Sequence, residues 1–292
     1  MSSRMAGYLP VSLAMMTVGS TVIASKLIAG HLPAFLATAL RFAVAMPFLC
    51  ALVIFRHQRW PRLNRREWGL LLLQAGTGSV GYTTLLISGL NYLPAADAGV
   101  IIGTLPAVSA LFSVTVLGER PHGKLIASVL LATVGVVAVA WTGPGPASLS
   151  GVLLIPGAVV CESAFILLSK RMPVPLPPLL QATAMTGLGL LVSLPFAVFE
   201  LPSALPATAA MVAVVWYALI PTVGGFLLWY AGAARVSGSE AATLTAVAPL
   251  TAVALAAFFL GERIGVTQVF GIAAVILAIL TLALPVRAQA RL

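Results

Sequence analysis

Ten stretches of this chain, each about twenty residues long, run almost without charge and are bounded by arginine, lysine, proline or glycine. A helix needs about 20 apolar residues to cross the hydrocarbon core of a bilayer. Lipid offers no partner to backbone N–H and C=O groups, so each stretch must satisfy its own, which a helix does. The candidate spans cover residues 8–29, 33–55, 67–90, 95–118, 122–142, 151–169, 177–199, 208–232, 238–260 and 265–286. The first is apolar enough to mimic a signal peptide, but Lys26 interrupts the place of a cleavage site, so it reads as an uncleaved first helix. No stretch is long or polar enough for a soluble domain. Hydrophobic residues make up 60% of the chain and charged ones 8%, with a mean hydropathy of +1.08. A soluble domain carries about 25% charged residues, so lipid must be the solvent for most of this surface. Cys50 and Cys161 lie inside apolar runs as small hydrophobes, without disulfide or metal-ligand spacing.

Loops on the cytoplasmic side retain Lys and Arg. With the N-terminus inside, the inner segments carry Arg4, Arg56, Arg59, Arg62, Arg65, Arg66, Arg120, Lys124, Lys170, Arg171, Arg235, Arg287 and Arg291, and the outer loops only Arg263. Both termini are therefore expected in the cytoplasm, with the chain multi-pass in a bacterial inner membrane. The same bias accounts for the formal charge of +9. The basic run from Arg56 to Glu67 reads as a topology anchor facing anionic lipid rather than a nucleic-acid site.

The tetrapeptide LGER ends two of the apolar runs, at Leu117–Arg120 and Leu260–Arg263. Glu119 and Glu262 stand 143 positions apart, and the same offset carries Pro106 onto Pro249, Asp97 onto Glu240 and Gly89 onto Gly232. An offset of 144 carries Ser25–Lys26 onto Ser169–Lys170 and Pro33 onto Pro177. The expected fold is thus an all-α integral membrane protein with ten transmembrane helices as two inverted five-helix repeats. One membrane domain over 1–292 divides into repeat one at 1–143, a linker at 144–150 and repeat two at 151–292. An odd helix number forces the second repeat to enter from the opposite side. Inverted repeats are the architecture of secondary transporters, with the substrate near mid-bilayer between them. Within LGER, Gly118 and Gly261 suit a left-handed helix end. The following Glu can favour the next helix's N-terminus, and Pro121 suits its first turn.

The segments SKLIAG with Pro33, LRFAVAMP, LPAADAGVIIGTLPAVSALFSVTVLGER and VSGSEAATLTAVAPLTAVALAAFFLGER resemble the ten-helix, EamA-type branch of the drug/metabolite transporter superfamily over essentially the whole chain. Family members often carry a tryptophan before a glycine in helix one, where this chain has Val18 before Gly19. The resemblance implies export of small metabolites, often amino acids, in a superfamily that also moves cationic drugs, purines and sugars.

A charge near mid-membrane costs at least about 2.5–3.5 kcal/mol and so requires a reason. At 1.5 Å per residue, Glu162 lies roughly 16 Å and Arg41 roughly 12 Å from the outer surface. Two readings stay open: the pair neutralise each other, or Glu162 faces a cavity and binds a substrate amine or a proton. Arg41 could likewise receive a substrate carboxylate. Gln74, Gly78 and Tyr82 share one helix face, as do Thr17, Thr21 and Ser25. Such small and polar stripes serve close helix packing, but they also suit a cavity wall, with Tyr82 and then Trp229, beside Tyr230, as its aromatic candidates. Lys26 is expected to snorkel, Asp97 and Glu240 to favour the dipoles of the helices they begin, and Trp60, Trp68 and Trp141 to sit in interfacial belts. Pro106 and Pro249, matched and mid-span, are expected to kink helices four and nine as alternating gates, with Gly78 a further hinge position.

No G-x-x-x-x-G-K-[ST] loop is present to couple ATP. His31, His57 and His122 form no ligand cluster, so neither metal nor cofactor is expected, and no nucleic-acid partner. These features describe a secondary transporter, not an enzyme, exporting small organic solutes, amino acids and related metabolites first among them, by alternating access. Its partners would be that small-molecule substrate, the lipid bilayer and, if Glu162 couples them, protons. A multidrug or quaternary-cation efflux carrier is the alternative, and a passive channel a weaker one, because no ring of like charges or filter motif is present.

Overall fold

The computed structural model describes residues 5–117, 123–141, 146–169, 171–172, 176–202, 206–233, 235, 244 and 247–283. Its elements are α1 (Met5–Ile28), α2 (Ala34–Phe55), α3 (Arg65–Gln74), a first π-helical segment (Ala75–Gly81), α4 (Tyr82–Gly89), α5 (Ala95–Ile102), α6 (Leu105–Leu117), α7 (Gly123–Trp141), α8 (Pro146–Ser169), α9 (Pro178–Phe199), α10 (Thr208–Tyr217), a second π-helical segment (Ala218–Gly225), α11 (Phe226–Ala233), α12 (Val247–Leu260) and α13 (Val266–Ala283). No strand occurs among the described residues. Among the described residues, six helical stretches are long and apolar enough to cross a membrane, and four shorter apolar ones accompany them. Large apolar side chains such as Phe199, Phe258 and Val266 stand fully exposed, as lipid-facing groups do.

Three spans are not continuous α-helices. The π segments begin at Ala75 and Ala218, 143 positions apart. The first, AGTGSVG, holds three weak helix formers in Gly76, Gly78 and Gly81. The second, ALIPTVGG, contains Pro221, whose missing N–H interrupts the i→i−4 ladder, and ends in two glycines. Thr222 Oγ1 donates to the Tyr217 carbonyl five residues back, 2.9 Å away, across the widened turn. The third interruption corrects an expectation. Pro106 does not kink a continuous helix four. The helix breaks at Gly103–Thr104, and Pro106 is the second residue of α6, where its absent N–H costs no hydrogen bond. Pro249 likewise lies in the first turn of α12.

The packing is reciprocal between the two halves. Helix α2 runs along α9, and α7 along α13. Helix α1 packs on α11 and α12, while α8 packs on their counterparts α4 and α6. Small residues permit the close crossings. A Cβ added to Gly19 would lie 2.6 Å from the Ala248 carbonyl oxygen, and one on Gly103 2.6 Å from Val275 Cγ1 and 3.0 Å from Pro249 Cβ.

One end of the bundle is closed by polar contacts that join distant segments. Glu262 accepts from the backbone N–H groups of Ala95 and Ala96, both at 2.9 Å. It therefore caps α5, not the helix that follows it in the chain. Gly261, at φ +65°, makes the left-handed turn that ends α12. Glu200 accepts from Phe35 and Leu36 N–H at 2.9 and 3.2 Å, capping α2. Lys26 Nζ donates to the carbonyls of Leu90 and Leu93 at 2.7 and 2.8 Å, and Gln268 Nε2 to Asp97 Oδ1 at 2.8 Å. These bonds bring residues 26–36, 90–97, 200 and 262–268 together at one end. Gly118, Glu119, Arg120, Pro121, His122, Lys170 and Glu240 lie outside the described residues.

Candidate functional site

A buried polar cluster is built around Arg41 on α2, which is only 6% exposed. Its guanidinium is held between two aromatic rings, 4.3 Å from the centroid of Phe42 and 4.3 Å from that of Tyr217. A desolvated cation over an aromatic face is favourable by up to about 2 kcal/mol. Arg41 Nη2 donates to the Ser79 carbonyl at 3.1 Å. Ser79 belongs to the first π segment, where the departure from α-helical bonding turns a backbone oxygen toward a side chain. Arg41 Nε is buried with no acceptor, and the Tyr217 side chain lies within polar reach of the guanidinium.

Tyr82 begins α4 directly after that π segment and is buried. Its hydroxyl forms no well-aligned hydrogen bond. Thr21 of α1 stands beside it, but the Thr21 hydroxyl donates to the Val18 carbonyl at 2.7 Å. Glu162 of α8 completes the group. It is half-buried and interacts through space with Arg41, Tyr82 and Tyr230. Among the described residues, its carboxylate makes no hydrogen bond and no ion pair within 4.0 Å. Arg41 and Glu162 are thus brought near each other without touching. Tyr230 stacks on Phe226, centroids 6.2 Å apart, on the Glu162 side.

The other candidates are placed around this centre. Gln74 is fully buried; its Nε2 lies 3.5 Å from the Leu168 carbonyl near the end of α8, and its Oε1 has no partner. Thr17 donates to the Ala14 carbonyl at 2.7 Å and presses on Gly225, where an added Cβ would stand 2.6 Å from its Oγ1. At Gly78 an added Cβ would collide with the Phe165 side chain at 2.5 Å. Trp229 is half-buried on α11, next to Tyr230 in the chain. Sequence reasoning overlooked Tyr217. The offset of 143 places it opposite Gln74, and in the fold each residue immediately precedes a π segment.

A separate cavity of about 200 Å³ lies between α6, α7 and α8, lined by Thr104, Leu111, Val129, Thr133 and Val160 among others. The residues that line it carry no charged side chain. No group of three His, Cys, Asp or Glu among the described residues is arranged to hold a metal ion.

The sequence pattern of the EamA-like transporter family matches this chain twice, over residues 5–141 and 149–284. An "Uncharacterized transporter YetK" of Bacillus subtilis (strain 168) is 33% identical over 281 residues, covering 94% of this chain and 85% of that protein. A "Probable terminal-alkyne amino-acid exporter" of Streptantibioticus cattleyicolor is 28% identical over 212 residues, covering 69% of this chain and 68% of that protein. A crystal structure of another protein matches over 96% of each chain with a TM-score of 0.67 at 23% identity, a likeness of fold.

Proposed function

Because this chain belongs to the EamA-like transporter family, we propose that it is a secondary transporter that exports small organic solutes, amino acids and related metabolites first among them. It works by alternating access, as two inverted five-helix repeats spanning the bacterial inner membrane with both termini in the cytoplasm. One observation carries the reading. Opposite charges, Arg41 from the first matched segment and Glu162 from the second, face one deep cluster without neutralising each other by contact. Secondary transporters built of inverted repeats hold their substrate near mid-bilayer, between the halves. The relative named as an amino-acid exporter supports the substrate class.

The bonds of Lys26, Glu200, Glu262 and Gln268 close the end assigned to the periplasm. Opening that end requires α5 to part from Glu262, and the break at Gly103–Thr104 beside Pro106 supplies the hinge. Pro249 and Gly78 take the matching roles on the other gate and at the first π segment. Arg41, Tyr82, Thr21 and Glu162 line the substrate path, with Thr17, Gln74 and Trp229 around it. Protons are the coupling ion if Glu162 exchanges one during the cycle. Counterflow of radiolabelled amino acids in proteoliposomes, with and without a pH gradient, tests the reading. Saturable counterflow is expected, and flux without saturation or exchange would replace the carrier with a channel.

A second reading, efflux of quaternary cations, is favoured by the tyrosines near Glu162, because aromatic faces attract cations. Transport of tetraphenylphosphonium in preference to any amino acid would establish it.

A further inference from the structure

We propose that the deep cluster is a two-ended receptor for a zwitterion: Arg41 Nε and the Tyr82 hydroxyl take its carboxylate, and Glu162 takes its ammonium group. The proposal rests on the exporter reading and assigns each end of the substrate to a residue.

The first ground is the gap between the charges. Coulomb attraction strengthens inversely with distance and is largest where water is excluded. Two buried charges whose only task was mutual neutralisation would gain most by meeting. Arg41 and Glu162 feel each other but remain beyond 4.0 Å.

The second ground is the pair of unmet donors. Arg41 Nε and Tyr82 Oη are both buried and both lack an acceptor. Leaving a buried donor unpaired is costly, most of all on a charged group. One carboxylate, with two oxygens and several lone pairs, would satisfy both. The guanidinium is already fixed by the Phe42 and Tyr217 rings and by its bond to Ser79, so the direction of its Nε–H is set before a ligand arrives. Arginine at such a site is a directional anion receptor, a role lysine does not reproduce.

The third ground is exclusion. A lone cation drawn to Glu162 meets the fixed charge of Arg41, and a lone anion drawn to Arg41 meets Glu162. Only a solute carrying both charges satisfies both residues. Tyr230, stacked on Phe226 on the Glu162 side, supplies an apolar wall for the substrate's side chain. The Arg41 charge therefore weighs against the quaternary-cation reading.

The test is calorimetric binding to the full-length protein in detergent. L-alanine, L-leucine, L-phenylalanine and L-threonine are compared with their amides, which lack the carboxylate, with their N-acetyl derivatives, which lack the ammonium, and with tetraphenylphosphonium. At least one free amino acid should bind, with both capped analogues at least about tenfold weaker, as the loss of a charge-assisted contact implies. Glu162→Gln should erase the difference between the free amino acid and its N-acetyl form. Arg41→Lys should weaken the free amino acid while leaving the amide unchanged. If either variant fails to fold, the ligand series on the native protein decides alone. An amide that binds as well as its free acid, a cation that binds more tightly than every amino acid, or no binding by any probe overturns the proposal. Binding with the expected pattern but without counterflow in proteoliposomes would leave the receptor standing and remove the exporter. Counterflow that treats free and capped forms alike would do the reverse.

Discussion

Glu162 carries the most decisive single-residue prediction. If it is the coupling carboxylate, Glu162→Gln should abolish pH-driven flux while substrate exchange persists, because the amide fills the same space and cannot carry the proton. Retention of full pH-driven flux in proteoliposomes would separate coupling from this residue. Glu162 and Arg41 stood out in the sequence because charge inside an apolar run is expensive and so draws attention, and Tyr82 because it shares a helix face with Gln74 and Gly78. Tyr217 did not, although its ring lies on the Arg41 guanidinium. An aromatic residue in a membrane helix is ordinary by composition, and its role comes from a partner 176 positions away, which no local pattern reveals. The same limit applied to Glu262. Its glycine signalled the helix end, but the carboxylate caps α5, whose N-terminus only the folded chain brings near. Truncation in Glu262→Ala leaves the Ala95 and Ala96 N–H groups without their acceptor and should cost about 1 kcal/mol, the usual worth of a helix cap. That loss should appear as a lower melting temperature in detergent, with Glu262→Gln falling between the two.

At the scale of the element, the π segments were the least legible feature. Glycine and proline inside an apolar run signal a weak helix but do not distinguish a kink, a break or a widened turn. Two of these outcomes occur here: π turns at Ala75–Gly81 and Ala218–Gly225, and a break at Gly103–Thr104. The first π segment depends on close contact with α8. Gly78→Ala places a methyl group 2.5 Å from Phe165, so either the π segment or α8 must move. We expect a lower melting temperature and at least about a tenfold loss of transport from a displacement of this kind. The double variant Gly78→Ala, Phe165→Ala should regain part of the transport. Equal loss in the single and double variants would place the fault elsewhere. By contrast, Pro106→Ala should barely change stability, since a first-turn position tolerates either residue.

At the scale of the molecule, the all-helical, membrane-spanning character was readable in the sequence. The described helices fall within two or three residues of the expected spans at most boundaries, except where Pro146 begins α8 ahead of the expected start, and the start of the ninth span lies outside the described residues. Hydropathy works because lipid admits few alternatives to a helix. What it does not convey is which helices touch, and the reciprocal pairing of α2 with α9 and α7 with α13 emerged only in the fold. The opposed orientation of the halves has its own test. Cysteines placed at Glu119 and at Glu262 should react with a membrane-impermeant maleimide from opposite faces, and labelling of both from one face would end the inverted arrangement.

The caps on α2 and α5 come from Glu200 and Glu262, beyond the junction of the two matched segments, and α1 takes its principal neighbours from there as well. The first half is therefore finished by the second through bonds that involve no shared peptide. A gene cut near residue 145 and expressed as two polypeptides should still yield a purifiable complex, and a tag on either fragment should retrieve its mate.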